Sequence, residues 1–166
     1  MARHYILDGY NIIKQIPFFA DVKLKKGREA LVYFLENRRP QGSRNNKVTV
    51  VFDGKSGMGS DEQAGWVGVQ FSRDESADEK IKRIVADADN NSNIIVVTDD
   101  RAIQYYVRSL GAMTIGVKAF MQKANSSNQK DGGRDKDSSR LNKGISHVAE
   151  NKIFEEFSGI WLNKNN

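Results

Sequence analysis

The chain has no cysteine, and only two prolines and two histidines among its 166 residues. Without cysteine there can be no disulfide, thiolate zinc site, iron–sulfur ligation or cysteine nucleophile. His4 and His147 are too few for a multi-histidine metal site, and both read as structural or solvated. No run of about 18 apolar residues is present, so no membrane-spanning helix is expected. Near the start, Asp8 places a charge before a secretory apolar region can form, and the expectation is a cytoplasmic protein. The Gly-x-Ser-x-Gly elbow and the phosphate-binding Gly-x-x-x-x-Gly-Lys-Ser/Thr loop are both missing. Gly54, Gly57 and Gly59 read instead as a flexible loop bordering a site. If this chain is an enzyme, carboxylates must carry its chemistry.

Positive charge is present in excess. Lys and Arg number 26 against 21 acids, a net charge of +5 and a pI near 9.4. The segment 118–144 holds Lys118, Lys123, Lys130, Arg134, Lys136, Arg140 and Lys143 against three aspartates, so it carries +4 of that +5. Residues 125–140 contain no apolar side chain, and such a stretch cannot offset its ordering entropy by burial. It reads as a basic flexible loop, either an inert linker or an arm for a phosphate backbone. Lys23, Lys25, Lys26 and Arg28 form a smaller cluster, and Arg38, Arg39, Arg44 and Lys47 another; both read as solvated faces.

Five short runs rich in Val, Ile, Phe and Tyr predict strands over 4–7, 48–52, 66–71, 94–98 and 113–117. Helical spacing predicts helices over 28–38, 77–89 and 101–110, with a short one after Asn11 that stops near Pro17. Alternation of the two implies an α/β three-layer sandwich around a central, mainly parallel five-stranded sheet. The reading divides the chain into a domain over 1–117, the basic loop over 118–144, and a C-terminal helical segment over 145–166 that packs back on the domain.

The acids are placed informatively. The first strand ends in Asp8, the second in Asp53, the fourth in Thr98-Asp99-Asp100, and Asp78 opens the helix after the third. Ligands of parallel sheets bind outside the carboxyl ends of the strands. Carboxylates crowded there repel one another unless a cation neutralises them, and an all-oxygen set prefers Mg²⁺ or Mn²⁺. Such a centre suits attack of water on a phosphodiester. Each acid also has a structural reading, because Asp after a strand favours turns and helix caps. Asp99 or Asp100 would cap the helix that follows, and Ser76 with Glu79 fits a capping box. Acids make up about one residue in eight, so three strands ending in Asp is more informative than any one of them. Asn11 would orient Asp8, contact a phosphate or cap a helix, and Thr98 would hydrogen-bond the attacking water or simply belong to its strand.

The runs Tyr5-Ile-Leu-Asp8-Gly-Tyr-Asn11, Val51-Phe-Asp53-Gly54, Phe71-Ser with Ser76-Ala-Asp78-Glu-Lys-Ile81, and Val97-Thr98-Asp99-Asp100-Arg carry a resemblance. Over about residues 3–117 the chain resembles the NYN domain family of the PIN-like nuclease superfamily, and more closely its YacP-like bacterial group. The resemblance implies a Rossmann-like, PIN-like fold and a Mg²⁺- or Mn²⁺-dependent endoribonuclease centre. It places Asp8, Asp53, Asp78 and Asp100 on the motif acids as metal-binding residues, with Asp99 as the rival to Asp100. It also implies RNA as partner, with mRNA cleavage and a ribosome association. The leading expectation is therefore a metal-dependent RNA endonuclease in which Asn11, Thr98 and Asp99 support those four acids and the basic loop holds RNA. A non-catalytic RNA- or ribosome-binding module is the alternative. A haloacid-dehalogenase-type phosphatase is disfavoured, because Asp8 is followed by Gly9-Tyr10 instead of x-Asp.

Overall fold

The computed structural model describes residues 1–20, 24–54 and 62–127. The chain divides into two units, Met1–Gln129 and Lys130–Asn166, and the second lies outside the described residues. So do the greater part of the expected basic loop, the C-terminal helical segment, Gly57 and Gly59.

The first unit is a six-stranded sheet built from β1 (His4–Asp8), β2 (Lys47–Phe52), β3 (Glu62–Ala64), β4 (Val67–Phe71), β5 (Ile94–Val97) and β6 (Met113–Ile115). The strand order is β3-β4-β2-β1-β5-β6. All neighbours pair in parallel except β3, which runs antiparallel to β4. The expected five parallel strands are therefore all found, and β3 is an addition. Its three residues, Glu62-Gln63-Ala64, have no apolar alternation to signal a strand. Burial on both faces explains the near-continuous apolar runs of β1 and β5.

Helices α1 (Gly9–Gln15), α2 (Pro17–Ala20), α3 (Leu24–Arg38), α4 (Ala77–Ala86), α5 (Arg101–Ser109) and α6 (Val117–Ser127) complete the unit. Ile81 and Val85 of α4 and Ile103 and Val107 of α5 pack with Ile6, Val51 and Val96 in one apolar layer. Side chains alternate across a strand, so Tyr5 and Phe52 belong to the opposite face, where they meet Phe120 of α6 and Tyr10 of α1. Among the described residues no helix is long and apolar enough to cross a membrane.

Helix α6 corrects the expected boundary at residue 117. The chain is helical for ten residues into the segment read as a loop, because Val117, Phe120, Met121 and Ala124 fall on one buried face. Lys118 and Lys123 therefore stand on the exposed surface of a helix. The strand expected to reach Val117 ends at Ile115 for the same reason.

Candidate active site

Parallel strands carry their chain direction to one rim, and the order of the sheet reverses between β1 and β5. Asp8 ends β1 and Thr98-Asp99-Asp100 follows β5 directly, so these residues flank the reversal. Asp53 follows β2, next to β1 on the other side. Asp78 sits in the first turn of α4, whose start is set by Ser76, the side chain of which accepts from the Glu79 backbone N–H.

Asp8 is almost fully buried, 7% exposed, and caps α1 by accepting from the Asn11 N–H at 3.3 Å. Its second oxygen accepts from the hydroxyl of Thr98, also at 3.3 Å. Burial pushes the Asp8 carboxyl up from 3.8 to about 6, with the charges of Asp78 and Asp100 adding to it and the two hydrogen bonds opposing it. Asp78 is raised by its own partial burial and by Asp100 and Asp53, while Lys82 opposes the shift. Asp78 and Asp100 thus act on Asp8, and Asp100 and Asp53 act on Asp78.

Asp99 and Asp100 have separate tasks. Asp100 caps α5, its Oδ1 accepting from the N–H groups of Ala102 at 2.8 Å and Ile103 at 3.1 Å. Its charge is the one felt by Asp8 and Asp78. Asp99 instead accepts from the Val117 N–H at 3.2 Å, so its carboxylate serves the start of α6. Gly116 makes room for this contact, since a Cβ there would meet Asp99 Oδ1 at 2.8 Å.

Thr98 and Asn11 both hold Asp8. Thr98 is completely buried and spends its hydroxyl inside the protein, donating to Asp8 and accepting from the Asp100 N–H at 3.1 Å. It links two acids and is not placed to meet a water at the rim. Asn11 orients Asp8 through its backbone, while its side-chain oxygen accepts from the Asp99 N–H at 3.2 Å and from Gln15 at 2.7 Å. The cap of α1 is Asp8, not Asn11.

Ser72 was not singled out by sequence. Buried after β4, it donates to Asp53 Oδ1 at 3.0 Å and accepts from the Gly54 N–H at 3.0 Å, which steadies the turn after β2. Gly54 takes φ +102°, a conformation that favours glycine. The available signal was the Phe-Ser pair at the strand end, parallel in register to Phe-Asp at the end of β2.

Arg28 and Arg39 are not simply solvated. Arg28 donates to the Tyr10 hydroxyl at 3.0 Å and lies over the rings of Phe52 and Phe71, 6.0 and 5.4 Å from their centroids. Arg39 lies 5.2 Å from the centre of the Trp66 ring. Gly9 completes the packing here, because a Cβ at this position would overlap the Phe52 ring. Gly9→Ala should therefore cost about 1–3 kcal/mol through overpacking. Chemical denaturation of Gly9→Ala, Phe52→Leu and the double variant checks this, with the double variant expected to recover part of the loss.

The doubly wound parallel sheet with acids at its strand ends is the arrangement of the NYN class, a nuclease-like, RNA-related family of domains. The model of the YacP-like NYN domain matches residues 5–161, and the chain belongs to that family. The match extends well beyond residue 117, the end of the stretch that carries the motifs. The chain is similar to crystal structures of Rae1 (YacP) from Bacillus subtilis. One is 23% identical with a TM-score of 0.64, covering 99% of this chain and 89% of the other. A second, of a mutant form of that protein, is 25% identical with a TM-score of 0.62, covering 76% and 77%. No curated protein matches the chain.

Proposed function

We propose that the protein is a divalent-metal-dependent endoribonuclease that hydrolyses RNA phosphodiester bonds at the rim formed by Asp8, Asp53, Asp78 and Asp100. The observation that carries this reading is the placement of four acids at the rim formed by the carboxyl ends of the strands, two of which, Asp8 and Asp78, are raised chiefly by burial and further by neighbouring aspartates. A surface that only bound a polyanion would gain nothing from such a cluster.

The donors suit a hard cation. All are carboxylate oxygens, and added positive charge at the rim would relieve their repulsion. Among the described residues no group of three or more acidic or histidine side chains is arranged to hold a metal ion by itself. A Mg²⁺ ion bound at this rim would keep several waters and take one or two carboxylates directly. When bound, Mg²⁺ or Mn²⁺ would supply charge to the phosphodiester in its transition state and a more acidic water. The chain's own residues prepare that chemistry. Thr98 and the Asn11 N–H hold Asp8 in one orientation, Ser72 holds Asp53, and the backbone of α5 holds Asp100. Asp99 and Asn11 act one step behind, tying the β5–α5 turn to α1 and α6.

In this reading the substrate is single-stranded RNA, with mRNA on the ribosome as the physiological setting and the cytoplasm as its place. The lysines and arginines 118–143 hold the RNA backbone. The deciding assay incubates the full chain with labelled single-stranded RNA and Mg²⁺ or Mn²⁺. Internal cleavage that EDTA abolishes is expected. Salt-sensitive binding without cleavage under every metal condition would instead select the non-catalytic binding module.

A further inference from the structure

Helix α5 carries a second surface that the carboxylate rim does not use. Ile103 and Val107 are completely buried against the sheet. On the opposite side, Arg101, Tyr105 and Arg108 follow one another at i, i+4 and i+7, which places them in one stripe. With Gln104 and Ser109 they line an open hollow of about 580 Å³. Tyr105 is 81% exposed, the most exposed aromatic among the described residues. The stripe begins one residue after Asp100, so it leads directly from the rim.

Local stability accounts for only part of this composition: Arg108 lies in the last turn of α5, where a cation favours the helix dipole. Arg101 stands at the first position of α5, where a cation opposes the helix dipole. Neither Arg101 nor Arg108 pairs with a carboxylate among the described residues. Arg108 is anchored through Nε, which donates to Thr114 Oγ1 at 2.6 Å, and its two Nη groups remain for another acceptor. An exposed ring between two guanidiniums matches single-stranded nucleic acid, in which bases stack on aromatic faces while cations meet the backbone.

We propose that the outer face of α5 is a binding track for single-stranded RNA, with Tyr105 stacking on a base and Arg101 and Arg108 contacting phosphates beside the cleavage site. The track names the form of substrate that the rim receives, and so it rests on the nuclease reading for its purpose. Its test does not rest on turnover. Binding of a short fluorescein-labelled single-stranded RNA to the full chain is measured by anisotropy in EDTA, where no cleavage takes place. Tyr105→Ala should weaken binding at least about fivefold. Arg101→Gln and Arg108→Gln should each lower the slope of log affinity against log salt by about 0.7. Tyr33→Ala, which removes a half-exposed ring from α3, should bind as the parent does. The Tyr105→Ala loss should be smaller on a duplex of the same sequence, whose bases are not free to stack. Parental binding by Tyr105→Ala, an equal loss in Tyr33→Ala, or an equal loss on the duplex would each overturn the track. If the parent never cleaves RNA but Tyr105→Ala still loses affinity, the track stands and the nuclease assignment falls.

Discussion

Asp8→Asn is expected to lose cleavage by about 10³-fold or more while folding at least as stably as the parent at neutral pH. The two effects come from the same burial. Removing the charge takes away the most buried of the four rim carboxylates, a loss of the size seen for groups that act on reacting atoms. The stability effect follows from the pKa. Unfolded Asp8 releases its proton near 3.8, whereas the folded protein holds it to about 6. Between those values the folded state binds more protons, so this group makes stability fall as pH rises through the window. Above pH 6 the ionised carboxylate costs on the order of 2–3 kcal/mol. Asn keeps the shape without the charge and removes that cost. Cleavage rates and urea unfolding between pH 4 and pH 8 check both halves, and the parent's slope between about 4 and 6 should flatten in the variant. A variant that cleaves normally would sink the assignment of Asp8; one that is inactive because it is unfolded would sink the account of its burial.

Thr98→Val is expected to have the second largest effect, through residues it does not replace. Valine fills the same buried space but can neither donate to Asp8 nor accept from the Asp100 N–H. The unsatisfied groups should cost about 1–3 kcal/mol. The Asp8 carboxylate also loses a donor that favours its charged form, so its pKa moves further up. Cleavage near neutral pH should fall by roughly tenfold or more, and the acid limb of the pH–rate profile should shift to higher pH. Raising the pH should restore much of the rate, and Thr98→Ser should behave like the parent. An equal loss at every pH, with an unmoved limb, would reduce Thr98 to a packing residue.

Much of this molecule can be read in its sequence because two periodicities dominate it. Apolar runs mark the parallel strands, and the i, i+3, i+4 stripe of α4 marks its buried face. The acids at strand ends were legible because the rim is created by chain direction alone. What could not be read were long-range partners. Nothing local says that Asp99 serves Val117, 18 residues away, or that Thr98 reaches Asp8 across 90 residues. Adjacent aspartates look interchangeable until the turn after β5 sends one to α6 and the other to the rim. Helix α6 was missed for a different reason. Its stripe of Val117, Phe120, Met121 and Ala124 was visible, but the polar, charged composition that follows outweighed it.

The position of β1 in the sheet has a consequence for motion. It is bonded along both edges, to β2 over five residue pairs and to β5 over four. Hydrogen exchange at Ile6 and Leu7 should therefore require global unfolding, while three-residue β6 at the sheet edge exchanges through local opening. Fraying of β6 and the start of α6 would free Asp99 and leave Asp8 in register. The most protected amides of the protein should thus lie immediately before its buried carboxylate, so that local breathing at the periphery does not move the residue on which the proposed cleavage would depend.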